Sequence, residues 1–550
     1  MLWTFPRSAE ALLLLATLTQ AETLAVMNAR IWTGLAQRPW AEALAVEGAR
    51  ITIVGSNTEV RARLGPQTRV VDARGRLVTP GFHDAHIHFL TGGHRLSSVQ
   101  LRTAKSKEEF VRRLADFART RPKGEWITGG DWDHENWGGE LPTRHWIDAV
   151  TRDHPVWINR LDGHMGLANT RALQVAGFDK WPQQVPGGAI LRDARGRPTG
   201  ILKDNAMVLV ARHVPPPTPE QNRRALEAAT DYVLEHGITS IHHMGSWEDL
   251  AVFEEAWRRG RLRLRVYAAV PLAGWKRLAE RIQKQGRGDE WLRVGMLKGF
   301  VDGSLGSHTA AFLDGYHDAP GDRGLLVNTP EDLSEWTAGA TAGGLQVAVH
   351  AIGDRAVRLQ LDIFERVLRQ QKPADARFRI EHAQHIAPAD IPRFARLGVI
   401  ASMQPYHCID DGRWAERLIG PERAKTTYAF RSLLDTGATL AFGSDWYVAP
   451  ATPLEGIYAA VTRRTLDGKH PLGWVPEQKI TVDEALRAYT WGASYAEFEE
   501  RRKGTLEAGK LADLVMLEDD ITRMQPENIG RARIAMTVVG GRVAYERRSE

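Results

Sequence analysis

Two histidines separated by one residue, His86 and His88, are the first side chains in this chain whose spacing suggests chemistry. They lie in the short apolar run 81–89, which is typical of a β-strand. Because side chains alternate between the two faces of a strand, both imidazoles point the same way. Neutral imidazole is a common ligand of divalent transition metals, so the pair indicates part of a metal site; a partly exposed polar face is the alternative.

Further polar side chains stand at or just after the ends of later apolar runs: Lys298, His350, His382 and Asp445. Taken singly, each has a structural alternative, such as a hydrogen-bonded histidine at a strand end or a lysine paired with a carboxylate. The carboxyl ends of parallel barrel strands meet at one face, which is where barrel enzymes place their active sites. Together with the histidine pair, these residues therefore predict one polar pocket.

The elements that must position these residues are eight short apolar runs separated by helix-like segments. The predicted strands are 82–90, 237–244, 264–270, 294–301, 345–351, 378–383, 399–404 and 439–444. Eight alternating strand and helix units predict an α/β fold, specifically a (β/α)8 TIM barrel.

The two ends of the chain have a different texture from the barrel region. Segments 22–79 and 500–550 are rich in short β-like pieces and turn signals, and they predict a composite β-sandwich domain. The barrel domain takes 80–499, with an insertion subdomain at about 91–235 that has its own predicted strands, 125–132 and 155–161. The insertion is rich in tryptophan, including Trp126, Trp132, Trp137, Trp146 and Trp157, and these rings favour a subdomain core over an aromatic substrate site.

Composition limits the classes of protein and site. The 550 residues are 43% apolar and 25% charged, which is typical of a soluble globular protein. The net charge is +5 and no block of lysine and arginine occurs, so a nucleic-acid partner is not expected. The single cysteine, Cys408, excludes an internal disulfide, and any metal must be held mainly by His, Asp, Glu or a modified side chain.

The first residues follow the plan of a secretory signal peptide, predicted at 1–21. A positively charged start precedes the apolar run 11–19, and Ala21 is a small residue at the expected cleavage position. The shortness of the run and Glu10 at its edge favour the alternative, a frayed leader or a misassigned start. The chain is thus predicted to be exported to the periplasm or medium, and otherwise to be cytoplasmic; no later segment approaches the ~20 apolar residues of a membrane anchor.

These motifs resemble the amidohydrolase superfamily of metal-dependent hydrolases, and more narrowly its YtcJ-like (amidohydrolase 3) branch. The segments that carry the resemblance are 80–88, 298–307, 350–354, 381–384, 443–445 and 503–514. They span nearly the whole chain after residue 21. The resemblance implies a hydrolase of carbon–nitrogen bonds other than peptide bonds, acting on an amide, a cyclic amide or an N-acyl or N-formyl compound.

The resemblance also implies a ligand set. His86 and His88 would bind one divalent ion, for which zinc is expected, and Asp445 would contact the same ion. A second ion would be bound by His350 and His382. Lys298 would then carry a carbamate formed from CO₂ and bridge the two, since a carbamate offers anionic oxygens where a free ammonium would repel a dication. Whether the site holds one ion or two is left open by the sequence.

The implied mechanism uses a metal-activated hydroxide. A bound metal lowers the pKa of a water toward neutrality and polarises the substrate carbonyl. Asp445 would act as the general base that takes the proton from this water and later delivers it to the leaving nitrogen. Two alternatives stay open: a deaminase-type member with one metal, and a non-catalytic regulatory member of the fold. The expected partner is a small-molecule substrate, and homo-oligomerisation is left open.

Three further residues are predicted substrate contacts with structural alternatives. His164 follows the second predicted strand of the insertion and resembles a pocket-facing residue of the branch; a structural hydrogen bond is the alternative. Asp302 and His308 follow Lys298 on one loop, where a pocket contact and a satisfied turn are equally compatible with the sequence.

Overall fold

The structure is a computed structural model that describes residues 23–548. The segment predicted to be a signal peptide, residues 1–21, lies outside the described residues, so that prediction is untested. None of the helices within residues 23–548 is long and apolar enough to cross a membrane.

Eight parallel strands form the central sheet, and each pairs with its neighbour in chain order. They are β1 Phe82–Ile87, β2 Ile238–Met244, β3 Arg265–Pro271, β4 Leu292–Phe300, β5 Gln346–Ala351, β6 Arg379–His382, β7 Ile400–Met403 and β8 Leu440–Phe442. Hydrogen bonds just beyond the strand ends nearly close the sheet into a barrel: Asp445 N–H donates to the His86 carbonyl at 2.7 Å, and His88 N–H donates to the Trp446 carbonyl at 2.8 Å.

The predicted barrel is confirmed, and every predicted strand overlaps an observed one. The largest difference is at β1, which was expected to continue to residue 90 but ends at Ile87. The backbone leaves the extended region at His88, with φ −95° and ψ 66°, and the helix Phe89–Arg95 begins immediately after it. The apolar residues that suggested a longer strand therefore belong to the first turn of that helix.

Helices surround the barrel and fill its connections. The α-helices are Asn57–Arg61, Phe89–Arg95, Lys107–Arg119, Arg144–Ile147, Thr170–Val175, Val208–Ala211, Pro219–Glu235, Trp247–Arg258, Trp275–Gln285, Pro330–Ala342, Asp354–Gln371, Ile391–Leu397, Pro405–Asp411, Ala415–Ala424, Phe430–Asp435, Pro453–Thr462, Val482–Arg487 and Ala493–Ala496. Short 3₁₀ turns are His134–Trp137, Phe178–Lys180, Asn205–Met207, Leu272–Gly274, Pro388–Asp390, Pro476–Gln478 and Pro526–Arg531, and a π-helical turn is Ala488–Gly492.

The helix Pro219–Glu235 illustrates how local sequence sets these elements. Thr218 caps it by accepting a hydrogen bond from Gln221 N–H at 3.2 Å, while the Gln221 side chain accepts from Thr218 N–H at 2.8 Å. Proline at the first helical position needs no hydrogen-bond acceptor there. Its buried apolar face packs into the core around β1 and β2.

The two chain ends meet in two sheets beside the barrel. One sheet contains Arg50–Gly55, Ala43–Glu47, Thr23–Met27 and Arg69–Asp72, and the other contains Arg542–Glu546, Ile534–Val539, Leu514–Leu517, Leu77–Pro80, Arg30–Trp32 and Trp40–Ala41. In the second sheet, Leu514–Leu517 pairs antiparallel with Leu77–Pro80, so strands from both ends share it. One buried apolar cluster takes residues from both sheets. The proposed domain boundaries stay a prediction.

Between β1 and β2 lies a separate six-stranded sheet. Its strands are Val99–Gln100, Ile127–Trp132, Val156–Arg160, Met165–Ala168, Pro198–Asp204 and Gly188–Arg192. Trp132 and Trp157 are buried in the two apolar clusters of this region, and the tryptophans predicted from the sequence of the insertion pack in or against them. The helix Pro219–Glu235, which was predicted as the last part of the insertion, packs instead on the barrel core.

Candidate metal centre

Six polar side chains converge at the carboxyl end of the barrel: His86, His88, Lys298, His350, His382 and Asp445. The ring centre of His382 lies 4.7 Å from that of His86 and 4.5 Å from that of His350. Lys298 Nζ lies 3.3 Å from His86 Nε2. The structure thus brings together all the residues predicted as metal ligands, which come from five different strands or strand ends.

The carboxylate of Asp445 faces the two histidines of β1. Its Oδ1 lies 3.2 Å from His88 Nε2 and 3.5 Å from His86 Nε2. This oxygen is buried and makes no hydrogen bond. An unpartnered buried carboxylate oxygen is costly, and cation coordination is one of the arrangements that satisfies it.

Four hydrogen bonds orient the four imidazoles. His86 Nδ1 donates to Glu381 Oε2 at 2.5 Å and His88 Nδ1 donates to the Met244 carbonyl at 2.8 Å. On the other side of the site, His382 Nδ1 donates to the side-chain oxygen of Gln404 at 2.8 Å and His350 Nε2 donates to the Gly303 carbonyl at 3.0 Å. Each acceptor places the ring proton on the nitrogen that it contacts, so the other nitrogen keeps a lone pair for a metal.

Burial keeps these rings in the form that binds metal. It lowers the pKa of His86, His350 and His382 well below that of an exposed histidine, since a charged imidazolium is poorly solvated in the barrel. Burial also lowers the pKa of Lys298 to about 8. More of its amine is therefore unprotonated at neutral pH than in an exposed lysine, and the neutral amine is the form that can react with CO₂.

The backbone at two of the six residues is left-handed. The φ angles are 72° at His382 and 61° at Asp445. Such values are uncommon for residues other than glycine, and they concentrate at functional sites, where the surrounding structure holds them. The hydrogen bond from Asp445 N–H to the His86 carbonyl is one such restraint.

The donor atoms fit a divalent metal ion. His86, His88 and Asp445 form one group whose ligand atoms all lie within 4.8 Å of one another, and His382, His407 and Asp445 form a second. Two imidazole nitrogens with one carboxylate oxygen suit zinc. His407 was not predicted; its buried Nε2 makes no hydrogen bond and its ring stacks 6.5 Å from that of His382.

The candidate metal centre opens into a cavity whose wall includes residues of the insertion. Besides five of the six converging residues, the cavity is lined by Asp133, Arg160, Leu161, Asp162, His164, Phe300, Ser304, Leu305, Gly306, Ile352, Gln384, His407, Asp410, Asp411, Arg413, Trp414, Tyr447 and Val448. None of the tryptophans of the insertion is among these residues.

The two arginines in the cavity wall are already paired. Arg160 contacts Asp162 at 2.7 Å and Asp133 at 3.4 Å. Arg413 contacts Asp133 at 3.2 Å and Asp410 more closely. Both guanidinium groups are therefore neutralised by carboxylates before any substrate binds.

His164 lies in this cavity, as the sequence allowed. Its Nδ1 contacts Asp204 Oδ1 at 2.6 Å, and its ring centre is 4.9 Å from that of His350. Burial alone would lower the pKa of His164, but the hydrogen bond and charge of Asp204 outweigh burial and raise it. Asp204 thus holds the ring so that Nε2 is left for the cavity.

The other two predicted substrate contacts lie outside the cavity wall. Asp302 is buried and accepts backbone hydrogen bonds from Ala311, Ile352 and Gly353 at 2.8 to 3.0 Å. His308 stacks on Tyr316 with ring centres 4.4 Å apart and faces the carboxylates of the following loop. Asp302 and His308 are not among the residues that line this cavity, although Asp302 Oδ1 lies 3.5 Å from His350 Nε2. Their contacts favour the alternative of a satisfied turn, and a substrate contact stays a prediction.

Some orienting residues were missed by sequence reasoning. Glu381 and Gln404 orient His86 and His382, and Asp204 orients His164. A signal existed for Glu381, since Arg379 and Glu381 have opposite charges at positions i and i+2 of an apolar strand and so share a face. For Gln404 and Asp204 we find no such local pattern.

Comparisons with known proteins identify the family of the chain. A model of a family described as the amidohydrolase family matches residues 69–545. Protein LONG AFTER FAR-RED 3 of Arabidopsis thaliana is 40% identical over 535 residues, which are 95% of this chain and 91% of that protein. YtcJ of Bacillus subtilis (strain 168) is 30% identical over 528 residues, 94% of this chain and 98% of that protein.

Two further relatives concern activity and fold. An N-substituted formamide deformylase of Arthrobacter pascens is 29% identical over 547 residues, 96% of this chain and 99% of that protein. The crystal structure of an uncharacterized metal-dependent hydrolase from Pyrococcus horikoshii OT3 superimposes with a TM-score of 0.74 at 29% identity, covering 92% of this chain and 99% of that one.

Proposed function

This chain belongs to the amidohydrolase family, and on that premise we propose that it hydrolyses a carbon–nitrogen bond other than a peptide bond in a small, uncharged amide. One observation carries the proposal above the others. The buried Oδ1 of Asp445 has no hydrogen bond and faces the free Nε2 atoms of His86 and His88. That arrangement is the donor set of a catalytic metal site.

The proposed metal ligands are the side chains whose donor atoms have no other partner among the described residues. His86, His88 and Asp445 would hold one divalent ion, for which zinc is expected. A second ion would be held on the side of His350 and His382, with a carbamate on Lys298 between the two. When bound, the ion supplies Lewis acidity and lowers the pKa of a water molecule.

The chain's own residues then move the proton. Asp445 accepts a proton from the attacking water, whose oxygen forms the new bond to the carbonyl carbon. As the carbon–nitrogen bond breaks, Asp445 gives this proton to the leaving nitrogen, so the products are a carboxylic acid and an amine. His164, oriented by Asp204 at 2.6 Å, would contact the substrate from the insertion side of the cavity.

The charge of the cavity supports an uncharged substrate. Arg160 and Arg413 are both occupied by neighbouring carboxylates, so a substrate carboxylate would have to displace one of these ion pairs. The deformylase relative acts, by its name, on N-substituted formamides. Neutral N-substituted formamides are therefore the first substrates to test.

The test is hydrolysis by the purified chain after metal removal and reloading with zinc. N-benzylformamide, N-benzylacetamide and a neutral cyclic amide are incubated with the protein, and amine, carboxylic acid and ammonia are measured separately. We expect amine and acid in equal amounts, only with metal, and far less of both from the variant Asp445→Asn. Release of ammonia would favour the deaminase alternative, and no turnover of any amide by metal-loaded protein would refute the proposal.

A further inference from the structure

A chain of buried charged and imidazole groups runs from the metal centre down through the barrel. It begins at His86, whose Nδ1 contacts Glu381 at 2.5 Å, and Glu381 in turn accepts from Arg379 Nε at 2.7 Å. Arg379 Nη1 contacts His242 Nδ1 at 2.9 Å. The next group is Glu497, whose Oε1 lies 3.5 Å from His242 Nε2. All five side chains are almost completely buried.

The direction of each contact is determined by the groups themselves. Arginine can only donate hydrogen bonds and an ionised carboxylate can only accept them. Because Arg379 donates to His242 Nδ1, the ring proton of His242 is on Nε2, which lies 3.5 Å from Glu497 Oε1 without a hydrogen bond between the two atoms. Because Glu381 accepts from His86 Nδ1, the Nε2 lone pair of His86 is left for the metal centre.

The lower end of the chain belongs to the C-terminal segment. Glu497 Oε1 lies 2.8 Å from Lys503 Nζ, which also donates to the Ser240 hydroxyl at 2.7 Å. Lys503 begins the segment 503–514, whose sequence matches the family but has no part in the proposed chemistry. His83, His242 and Glu497 could by spacing hold a metal ion, but the ammonium group of Lys503 already supplies a cation at Glu497.

We propose that Glu497 and Lys503 are positioning residues for the metal centre, acting on His86 through His242, Arg379 and Glu381. The inference rests on the proposed metal site. In a buried chain, each charged group depends on its neighbours for compensation, since water is absent. Loss of the lower ion pair removes the carboxylate that attracts the Nε2 proton of His242 electrostatically across 3.5 Å. The ring can then turn or change tautomer, and Arg379 and Glu381 no longer hold His86 in one orientation.

The test removes the lower pair without leaving an unpaired charge. The double variant Glu497→Gln/Lys503→Met is compared with Arg265→Met/Asp513→Asn. The second pair is a matched control, because Arg265 and Asp513 also join the barrel to segment 503–514, at 2.6 Å, and are equally buried. Among the described residues, neither Arg265 nor Asp513 has a side-chain hydrogen bond to any of the buried groups from His86 to Lys503.

The readout is zinc affinity, measured by competition with a chromophoric chelator, together with the melting temperature of the metal-free protein. We expect the first double variant to bind zinc about tenfold more weakly than wild type, as for other groups that orient a ligand. The control should keep wild-type affinity even if its melting temperature falls. Equal zinc affinity in both double variants, whether or not it differs from wild type, would overturn the proposal.

Two more variants keep the test decisive. His242→Asn removes the imidazole that links Arg379 to Glu497 without altering any charge, and it should also weaken zinc binding about tenfold. This variant replaces the first double variant if that protein does not fold. When Glu381→Gln is already present, adding Glu497→Gln/Lys503→Met should cause no further loss of zinc affinity, because the link to His86 is already broken. An additive loss would contradict transmission through Glu381. If wild-type protein binds no zinc at all, the proposed metal site fails instead.

Discussion

The Nε2 atom of His88 lies 3.2 Å from Oδ1 of Asp445, a buried oxygen that accepts no hydrogen bond. The two residues stand 357 positions apart in sequence, and they meet because the loop after β8 returns beside the end of β1. In a hydrated setting such an oxygen would bind water. In the barrel it faces imidazole lone pairs, which makes the space between them a candidate cation site.

The variant Asp445→Asn should lose most turnover and keep the fold. An amide cannot accept the proton of the attacking water, and general acid–base catalysis contributes about 10²- to 10⁴-fold to rates. We therefore expect kcat to fall by about that factor, with circular dichroism and melting temperature close to wild type. The control is Asp435→Asn, an exposed carboxylate paired with Arg431 at 2.8 Å. Near-normal kcat in Asp445→Asn would rule out its role as the base.

The amine of Lys298 should carry a carbamate when two ions are bound. Its pKa, lowered by burial to about 8, leaves more neutral amine than in an ordinary lysine. Metal content per chain and the mass of the peptide containing Lys298, isolated under CO₂-preserving conditions, should show two ions and one added CO₂. In Lys298→Ala we expect the second ion to be lost and partly restored by millimolar acetate. One ion on an unmodified lysine would require a single-metal mechanism.

Stability should depend on pH through Asp411. Burial, the largest influence, raises the pKa of Asp411 to about 7, from an ordinary value of 3.8. Between these two pH values the folded chain retains a proton that the unfolded chain has lost. The contribution of this group to the free energy of unfolding is therefore present at low pH and is lost as the pH rises toward 7.

The variant Asp411→Asn tests that pH dependence, because the amide resembles the protonated carboxyl and can still accept from Tyr428. Melting temperatures of wild type and variant, measured from pH 4 to pH 8, should converge as the pH falls toward 4, and the variant should be the more stable at pH 8. Parallel curves for the two proteins would show that Asp411 does not titrate in this range. The exposed variant Asp435→Asn should follow the wild-type curve.

The cavity should prefer neutral substrates to anionic ones. For N-benzylformamide and its analogue with a para carboxylate, we expect kcat/KM to favour the neutral compound by at least about tenfold, since one desolvated charge without a partner costs more than 1.4 kcal/mol. Asp162→Asn removes the 2.7 Å partner of Arg160 and should narrow that preference. An unchanged ratio in the variant would show that Arg160 does not face the substrate.

Much of the fold could be predicted because it rests on local patterns. Apolar runs of strand length separated by helical segments indicated all eight strands of the barrel, and the boundary error at β1 arose where His88 ends a strand inside a continuous apolar run. The placement of polar residues at strand ends indicated one pocket. The positions of Lys298, His350 and His382 in the structure agree with that prediction. Neither pattern depends on contacts between distant residues.

The partners of those residues could not be predicted, because they depend on which strands face each other across the barrel. Asp302 follows Lys298 closely in sequence, but its oxygens are directed at backbone N–H groups rather than at the cavity. His407 showed no pattern that distinguished it from other histidines, and it lies beside His382 only because β7 neighbours β6.

By itself, the sequence determined the barrel, the candidate ligands and the family, since strand periodicity and motif order are written in consecutive residues. Only the tertiary structure decided how each imidazole is oriented, which carboxylate oxygen is left without a partner and which charges neutralise the cavity. The hydrogen bond from His86 to Glu381 joins residues 295 positions apart. The buried chain from His86 to Lys503 exists because closure of the barrel places these groups along one axis, out of reach of water.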